Sequence, residues 1–418
     1  MSLFDDLTWR GLIAHCTDPE ALKHSLDHDR IVFYVGFDPT APSLHMGNLL
    51  QLVTARRLQD AGHRPILLVG GSTGLIGDPR QSAERVLNPI DIVHAWVEGI
   101  RAQVQGFVSF EGDTGAIIVN NYDWTAGLST LDFLRDIGKH FPVNRMLDRE
   151  VVKTRLESGI SYTEFSYVLL QSLDYLELHR RYGASLQTGG SDQWGNITAG
   201  VELIRRVTGD KVHALATPLI TKADGTKYGK TESGTLWLNP EMTSPYAFHQ
   251  FFLNTEDETV GTLLRVFTNR SQAEIEDLER QTAEAPQLRA AQRVLADDLT
   301  DLVHSVEQRQ AATAAAKAIF GQGDLGELDQ ATLDSVAQEV PHATWDSLDG
   351  RTVVDALVDS GIVASRSAAR RAIAEGGAYL NNVRVSDAEC LLTVDDLLAG
   401  SVIVLRRGKK TIGAVRVG

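Results

Sequence analysis

The junction between an apolar, strand-like run and an amphipathic, helix-like run carries residues that could bind phosphate. The stretch YVGFDPTAPSLHMGNLLQL, residues 34–52, places His45, Gly47 and Asn48 where the strand has ended and the helix begins. His45 and Asn48 project from one face of the first helical turn, where unpaired N–H groups attract phosphate. Gly47 leaves the backbone open to a flat base. A plain helix N-cap region with a surface histidine explains the same residues.

A loop rich in lysine and glycine lies far downstream, in the stretch ITKADGTKYGKTESG, residues 220–234. Its lysines could stabilise a polyphosphate as point charges, and its glycines would let it close as pyrophosphate departs. Its lysines and hydroxyl residues are Lys222, Lys227, Lys230, Thr226, Thr231 and Ser233. Such a loop alone is typical of a solvated turn. Together with the His-Met-Gly-Asn junction it indicates nucleotidyl transfer, which needs alignment and charge stabilisation more than covalent chemistry.

A polar stripe runs along the helix-like stretch 163–183. Tyr167, Gln171 and Asp174 fall at i, i+4 and i+7, while apolar residues cover the other faces. Such a stripe must face either water or a polar ligand. Simple amphipathicity and a ligand pocket therefore both remain open from this pattern.

Glycine and aspartate also meet at another strand-to-helix turn, in the stretch GGSDQWGN. Gly190 would let a ligand approach the backbone, and the Asp192 carboxylate could accept hydrogen bonds from a ribose. A turn in which Ser191 or Asp192 caps the next helix is the simpler interpretation.

The elements that must position these residues alternate between strand and helix. Near-continuous apolar strands at 30–37, 64–71 and 115–121, with helices between them, predict a parallel sheet with right-handed crossovers. The pattern runs to about residue 220, with a less regular insertion near 123–160. No G-x-G-x-x-G follows the first strand and no G-x-x-x-x-G-K-[ST] occurs, so neither a dinucleotide fold nor a P-loop is supported.

The rest of the chain divides into three segments. We expect a catalytic domain over 1–229, a helical domain over 230–320 and a linker with one helix at most over 321–350. The compact tail, 351–418, has the pattern of helix, turn, helix and hairpin. It holds ten Arg/Lys against seven Asp/Glu, whereas the whole chain has a net charge of −15. Chance alone explains so small a local excess of basic residues. The same excess also suits a localised contact with a polyanion.

Composition limits the class of protein. The 418 residues suggest two or three domains, and no apolar run is long enough to span a membrane. The first residues lack the basic and apolar regions of a secretory signal. Cys16 and Cys390 lie far apart, which suits a reducing cytoplasm and predicts no metal cluster.

These motifs resemble those of a known family. His45-Met-Gly-Asn48 is similar to the His-Ile-Gly-His motif of class I aminoacyl-tRNA synthetases, and Lys227-Tyr-Gly-Lys-Thr231 is similar to their Lys-Met-Ser-Lys-Ser loop. Together with "HRPILLVGGSTGLIGDP" and "GISYTEFSYVLLQSLDYL", they make essentially the whole chain resemble the bacterial tyrosyl-tRNA synthetases. The tail resembles the small RNA-binding domain that ends those enzymes.

The chain departs from the family pattern in three places. Asn48 replaces the second histidine, and Tyr228-Gly229 replaces Met-Ser while keeping both lysines in register. The stretch RQSAER is one residue shorter than the lysine-bearing family segment, so Arg80 or Arg85 would have to replace a phosphate-binding lysine.

The resemblance implies an α/β fold: a Rossmann-like parallel-sheet catalytic domain, an α-helical domain and a small α+β RNA-binding domain. It implies that the enzyme activates L-tyrosine with ATP and then charges tRNA(Tyr), as a homodimer with its interface near 123–160. Magnesium would accompany ATP without a dedicated protein cage. The tRNA contacts of the tail would come from Arg366, Arg370 and Arg371.

The resemblance also assigns site residues. Tyr34 and Asp174 would bind the phenol of tyrosine. The residues around its ammonium group would be Asp78, Tyr167 and Gln171, with Gln193 nearby. ATP would lie against Gly36, Asp38, His45, Gly47, Gly190, Asp192 and Lys230. The catalytic residues would be Thr40, His45, Asn48, Lys227, Lys230 and Thr231.

Three alternatives differ in a measurable property. A tryptophan-specific relative would exchange pyrophosphate with tryptophan, although Tyr34 and Asp174 favour a phenol. A small-metabolite adenylyltransferase would transfer a nucleotide without tyrosine, and the helical and RNA-binding segments argue against it. A non-enzymatic RNA-binding protein with an inactive core would bind tRNA silently, and the retained lysine pair argues against that.

Overall fold

A computed structural model describes residues 2–79, 87–221, 225–226, 228–231, 234–408 and 411–418, apart from the side chains of Lys230 and Thr231. The chain divides into two compact units. The first comprises Met1–Asn239 and Asp257–Glu284, and the second comprises Pro240–Glu256 and Ala285–Gly418.

The helices and strands are numbered in chain order over the described residues. The helices are α1 (Leu3–Trp9), α2 (Pro19–His28), α3 (Met46–Asp60), α4 (Thr73–Ile76), α5 (Ile90–Gln105), α6 (Tyr122–Thr125), α7 (Thr130–Asp132), α8 (Val143–Leu147), α9 (Glu150–Arg155), α10 (Tyr162–Tyr182), α11 (Trp194–Val207), α12 (Pro245–Leu253), α13 (Asp257–Phe267), α14 (Gln272–Glu284), α15 (Ala290–Val303), α16 (Val306–Ile319), α17 (Gln330–Glu339), α18 (Val353–Asp359) and α19 (Arg366–Ala374). The strands are β1 (His15–Cys16), β2 (Val32–Phe37), β3 (Arg64–Val69), β4 (Ile117–Asn120), β5 (Ala184–Gly190), β6 (His213–Thr217), β7 (Lys230–Thr231), β8 (Gly234–Thr235), β9 (His342–Trp345), β10 (Ala378–Leu380), β11 (Val383–Arg384), β12 (Val402–Arg407) and β13 (Thr411–Val417).

The first unit is built on a sheet whose six described strands follow the order β1-β6-β5-β2-β3-β4. All neighbours are parallel except the short edge strand β1, which pairs antiparallel with β6. The chain proceeds outward from β2 to β3 and β4, and then returns to β5 on the other side of β2. The strand order therefore reverses between β2 and β5, and a ligand crevice is expected at their carboxyl ends.

The predicted strands, the parallel pairing and the helix at 163–183 agree with this architecture. β2 and β3 are almost wholly buried, which is why they read as continuous apolar runs. α10 begins after Ser161, whose side chain caps the N–H of Glu164, and ends at Gly183 with φ +70°. The irregular stretch 123–160 contains α6 to α9 and a π-helical turn at Phe133–Ile137.

The expected helical domain over 230–320 differs from the observed division, since α13 and α14 belong to the first unit. Two buried arginines explain why. Arg10 donates to the backbone carbonyls of Arg265, Thr268 and Arg270, at and beyond the end of α13, and Arg57 on α3 donates to that of Thr268 at 2.7 Å. Cations at a helix C-terminus satisfy its unpaired carbonyls and offset its dipole.

The segment 321–350, expected as a linker with one helix at most, contains one described α-helix, α17, and the strand β9, which pairs parallel with β13. Leu333 and Val336 are fully buried in one cluster with Ile319 of α16 and Val404 of β12. The segment holds seven acidic residues and no lysine or arginine. That composition favours a solvated linker, but these spaced apolar residues supply a packing face.

The tail has the predicted helix, turn, helix and hairpin. α18 and α19 pack on one face of a sheet with the described strand order β11-β10-β12-β13-β9. The hairpin between β10 and β11 turns at Asn381 and Asn382, both with positive φ, a conformation that asparagine tolerates better than most residues.

We expect Arg10→Ala to lower the free energy of unfolding by about 3 kcal/mol, because it leaves several carbonyls and the Asp6 carboxylate without their cation. Guanidinium chloride unfolding measures this. The control is Arg56→Ala, an exposed arginine paired with Asp60, which should cost less than about 0.5 kcal/mol. Equal effects of the two changes would contradict the role given to Arg10.

Candidate active site

The polar residues singled out in the sequence gather at the carboxyl ends of β2 and β5. Asp38 and Thr40 follow β2, whereas Gly190 ends β5 and Asp192 lies in the turn after it. This is the point where the strand order reverses. The edge of the sheet therefore brings together residues that lie far apart in the chain.

A carboxylate is buried on the wall formed by α10. Asp174 is 3% exposed and accepts hydrogen bonds from Asn121 Nδ2 at 3.0 Å and Trp124 Nε1 at 2.9 Å. Burial raises its pKa to about 8, although both hydrogen bonds favour the ionised form. The carboxyl group is thus already poorly hydrated. A ligand that forms a hydrogen bond with it would therefore cause little further loss of hydration.

The phenol of Tyr34 lies close enough for the charge of Asp174 to contribute to its raised pKa, although burial is the larger cause. Tyr34 is 1% exposed, and its hydroxyl oxygen has no hydrogen-bond partner among the described residues. The buried Oε1 atom of Gln171 on α10 also lacks one. A buried polar atom without a partner is costly, so these two atoms point to a polar ligand.

A second polar group joins β2 to α10. The Asp38 carboxylate accepts from the Tyr167 hydroxyl and from Thr73 Oγ1, each at 2.6 Å. Gly70 makes this possible, since a Cβ at that position would lie 2.1 Å from Asp38 Oδ1 and 2.3 Å from Thr73 Oγ1. Asp38, expected to bind ATP, is therefore engaged with Tyr167, a residue expected to bind the amino acid.

A third group surrounds Asp78. Gln193 Nε2 and Asn196 Nδ2 donate to its two carboxylate oxygens, at 2.8 Å and 3.1 Å. Asn196 in turn accepts a hydrogen bond from Arg149 of the irregular insertion. Asp78 and Gln193 are thus held together, as their shared assignment to the ammonium group requires.

His45 is the N-cap of α3. Its Nδ1 accepts from the Gly47 N–H at 3.0 Å, and Asn48 Oδ1 accepts from the His45 N–H at 3.1 Å. The simpler interpretation, a capped helix start, is therefore correct for the backbone. It also fixes the tautomer, because an accepting Nδ1 leaves the ring proton on Nε2 as a donor.

Gly229, in the described part of the glycine-rich loop, lies against the start of α3. Gly229 has φ +89°, and a Cβ there would lie 2.6 Å from Met46 Cβ. Trp237 forms an antiparallel bridge with His45, their rings 6.3 Å apart, and the Leu238 N–H donates to the Leu44 carbonyl at 2.9 Å. The chain that follows the loop is thus hydrogen-bonded to the residue that precedes His45.

The lysines of this loop are only partly placed. Lys230 and Thr231 form β7, which pairs with β8. Lys222 and Lys227 lie outside the described residues, as do Arg80 and Arg85.

Glycines leave open surface beside these groups. Gly36 is exposed near the end of the central strand, and a Cβ there would find Leu68 at 3.7 Å and nothing closer. Its small size is therefore not demanded by packing against the described protein. At Gly190, by contrast, a Cβ would lie 2.5 Å from Asp192 Oδ1, so this glycine lets that carboxylate fold back over the strand end.

The arginines predicted for the tail lie exposed on α19. Arg366 pairs with Asp355 at 2.8 Å, and Arg370 pairs with Glu389 at 2.9 Å. Arg371 has no ion pair with any other described residue. Exposed ion pairs of this kind are weak and can be exchanged for phosphate.

Several residues of the site were missed from the sequence. Asn121 follows β4 at the carboxyl edge of the sheet, so the rule that ligands bind there could have found it. Asn196 lies within the quoted stretch GGSDQWGN. Trp124 and Arg149 lie in the insertion, whose irregular pattern carried no signal.

The described residues include no helix that is both long and apolar enough to cross a membrane. No group of three or more of their His, Cys, Asp and Glu side chains is arranged to hold a metal ion.

Comparison with known proteins identifies the family. The model described as "tRNA synthetases class I (W and Y)" matches residues 26–321, and that described as "Tyrosine--tRNA ligase SYY-like C-terminal domain" matches residues 332–414. The tyrosine–tRNA ligase of Cutibacterium acnes is 62% identical over 413 residues, covering 99% of each chain. That of Streptomyces coelicolor is 57% identical over 418 residues, with the same coverage.

Solved structures agree with this result. The C-terminally truncated mitochondrial tyrosyl-tRNA synthetase of Coccidioides posadasii superposes with a TM-score of 0.65 at 29% identity, covering 75% of this chain and 91% of its own. The motifs at residues 45–48 and 227–231, the sheet that carries the site and these full-length relatives agree: the chain belongs to the class I aminoacyl-tRNA synthetases, in the bacterial tyrosyl-tRNA synthetase family.

Proposed function

We propose how this chain performs the tyrosine–tRNA ligase reaction that its family membership entails. The observation that carries the proposal is the buried pair of Tyr34 and Asp174, a phenol without a partner beside a carboxylate in an apolar wall. Tyrosine would enter this pocket with its side chain first. Its phenol would donate to Asp174 and accept from Tyr34, which satisfies the buried hydroxyl.

The same pair explains why phenylalanine would be rejected. Phenylalanine fits the shape of such a pocket but would leave the Tyr34 hydroxyl without a partner and the Asp174 carboxylate short of one. Leaving buried polar atoms unpaired costs far more than the loss of a small apolar contact. Selectivity for tyrosine over phenylalanine would thus come from the cost of leaving Tyr34 and Asp174 short of hydrogen-bond partners.

The ammonium group of tyrosine would lie among Asp78, Tyr167, Gln171 and Gln193. Asp78 supplies a carboxylate already oriented by Gln193 and Asn196, and Gln171 supplies an unpaired oxygen acceptor. Tyr167 is positioned by Asp38. These acceptors suit a cation with three N–H donors.

ATP would lie across the open surface left by Gly36 and Gly190, with a ribose hydroxyl on Asp192. Its phosphates would meet the start of α3, where His45 Nε2–H, Asn48 and the Thr40 hydroxyl can donate and where Gly47 admits the base. Lys227, Lys230 and Thr231 would bind the departing pyrophosphate. The backbone contacts between the two motifs support this arrangement.

The first step needs no side-chain nucleophile, because the tyrosine carboxylate is already ionised. One of its oxygens attacks the α-phosphorus of ATP in line, a new P–O bond forms, and the bond to pyrophosphate breaks. In the second step, a terminal ribose hydroxyl of tRNA(Tyr) attacks the tyrosyl carbonyl and AMP leaves. The protein contributes alignment and charge stabilisation in both steps.

Magnesium would accompany ATP. The ion would be held chiefly by the phosphates of its substrate, as is usual for this cation. Its charge would neutralise the triphosphate. We place the reaction in the cytoplasm, where bacterial translation takes place.

We also infer a homodimer whose interface includes the 123–160 insertion. Large apolar side chains are exposed there, including Leu131 at 78%, Val143 at 60% and Leu156 at 51%, with Tyr162 at 67% just beyond. Several large apolar side chains exposed within one segment are typical of a protein–protein interface. The mass in solution, from sedimentation equilibrium, tests the inference: a monomer would refute it.

ATP–pyrophosphate exchange with each amino acid tests the function, and tyrosine alone should support it. Asp174→Asn should raise the KM for tyrosine by roughly tenfold to a hundredfold, because a charge-assisted hydrogen bond is lost. Asp123→Asn, an exposed carboxylate nearby, is the control.

The same assay should show a pH dependence. Since burial raises the pKa of Asp174 to about 8, its strong acceptor form is a minority below that pH, and affinity for tyrosine should rise as the pH increases from about 6 to 8. Asp174→Asn should abolish that rise. A pH profile identical in both proteins would remove Asp174 from the pocket.

Gly36→Ala tests the surface proposed for ATP. A methyl group there contacts only Leu68 at ordinary distance, so stability should be unchanged. Exchange should nevertheless fall roughly tenfold to a hundredfold, since the methyl group displaces the bound nucleotide. Normal exchange in this variant would mean that the nucleotide lies elsewhere.

The tail arginines should act on tRNA alone. Replacing Arg370 and Arg371 with alanine should weaken tRNA binding and reduce its logarithmic salt slope by about 1 to 2, without altering pyrophosphate exchange. Lysine at both positions keeps the charge and should largely preserve the slope. Unchanged tRNA affinity in the alanine variant would assign the tail another role.

A further inference from the structure

A charged stripe on α10 continues beyond the pocket. Asp174, Glu177 and Arg181 fall at i, i+3 and i+7, so they share one face of the helix. Asp174 is buried, whereas the Arg181 side chain is 45% exposed. The stripe thus leads from the proposed phenol site to the surface, and neither Glu177 nor Arg181 has been given a role above.

The indole of Trp124 lies against this stripe. Its Nε1–H donates to Asp174 Oδ1 at 2.9 Å, and the guanidinium carbon of Arg181 lies 5.3 Å from the centre of its ring. Arg181 is itself held by Glu177, with Nε and Nη2 at 2.9 Å and 2.8 Å from Glu177 Oε2. Trp124 is therefore fixed from two sides, by a carboxylate at its edge and a cation at its face.

We propose that Arg181 is a positioning residue for tyrosine recognition, which keeps the Trp124 indole N–H on the Asp174 carboxylate. The proposal rests on the role of Asp174 proposed above. Trp124 belongs to the short helix α6, at the start of the irregular insertion, and packs against the apolar cluster that includes Tyr34 and Leu173. Arg181 adds a charged contact to that packing. Without Arg181 the indole would gain rotational freedom, and the acceptor oxygen of Asp174 would lose its fixed direction.

The charges around Asp174 also favour this role for Arg181. Glu177 and Asp38 both carry charge that disfavours the ionised form of Asp174. Tyr34 and Tyr167 face it as neutral phenols. Arg181 places a cation on Glu177 and so offsets one of the two opposing carboxylates. Its loss would favour protonation of Asp174 and weaken the acceptor that the phenol needs.

The neighbouring arginine provides a matched control. Arg180 is 48% exposed, similar to Arg181, and also contacts Glu177, at 3.4 Å. The described cation–π contact of Trp124 is with Arg181. Arg180→Ala thus removes an exposed cation from the same carboxylate without uncovering the indole.

The test is pyrophosphate exchange with tyrosine and with phenylalanine, on the full-length protein. We expect Arg181→Ala to raise the KM for tyrosine about two- to fivefold, with kcat unchanged, as expected for loss of one partly exposed cation–π contact. Phenylalanine makes no bond to Asp174, so its kcat/KM should not change and discrimination should fall by the same factor. Arg181→Lys should recover part of the loss, and Arg180→Ala should have a clearly smaller effect than Arg181→Ala, because Arg180 holds Glu177 by a single longer contact and the described cation–π contact of Trp124 is with Arg181.

The pH profile is a second readout. In Arg181→Ala the rise of tyrosine affinity should move to higher pH by more than in Arg180→Ala, because Glu177 loses two close contacts at 2.9 Å and 2.8 Å and keeps only the Arg180 contact at 3.4 Å. Equal losses for tyrosine and phenylalanine, or equal effects of the two alanine variants, would overturn the proposal. If the unmodified protein shows no tyrosine-dependent exchange, or if Asp174→Asn does not change the KM for tyrosine, the proposed function itself fails. If Asp174→Asn raises that KM but Arg181→Ala does not, only the role of Arg181 fails.

Discussion

The burial of one carboxylate organises the wall formed by α10. Asp174 is buried on α10, and its ionised form is stabilised by donors from Asn121 after β4 and Trp124 of the insertion. Three separate parts of the chain must therefore be in place before the carboxylate can hold its charge. The same desolvation that makes the arrangement costly makes a phenol a favourable partner, since binding replaces a missing hydrogen bond and displaces little water.

The sheet makes such convergence possible. Because the strand order reverses beside β2, residues after β2 and β5 face one another across a gap that no helix crossover covers. Gly70 admits the Asp38 carboxylate, and Gly190 admits that of Asp192. The open surface at Gly36 has a different origin, since packing against the described residues would tolerate a methyl group. A Cβ at Gly70 or Gly190 would thus meet the oxygens of neighbouring side chains, whereas at Gly36 the described residues would accept one.

Much of this could be predicted from sequence because the signals were local. Continuous apolar strands, the Ser161 cap and the Gly183 stop are each encoded within a few residues. The arrangement of the domains was harder. The helix pair α13–α14 joins the first unit through Arg10 and Arg57, whose partners are backbone carbonyls and therefore leave no trace in residue type. The segment 321–350 looked solvated by charge, although its apolar spacing was sufficient for a core.

The site shows the same division. Tyr167 and Asp174 could be placed on one face of a helix by periodicity, whereas the role expected of Tyr34 came from the family resemblance. Trp124 and Arg149 could not be placed, because they belong to an irregular segment and act through contacts distant in sequence. Family resemblance supplied roles for residues that touch ligands but gave no information about the residues behind them.

The two ring nitrogens of His45 are not equivalent at the start of α3. Nδ1 caps the start of the helix by accepting from the Gly47 N–H, while in the proposed function Nε2–H would donate to a phosphate. Aspartate or serine would end the helix equally well, so thermal stability alone could not distinguish them from histidine at this position. Selection for stability and selection for activity would therefore favour different residues at position 45. A library sorted by heat resistance alone would be expected to accumulate well-folded but inactive variants at this position.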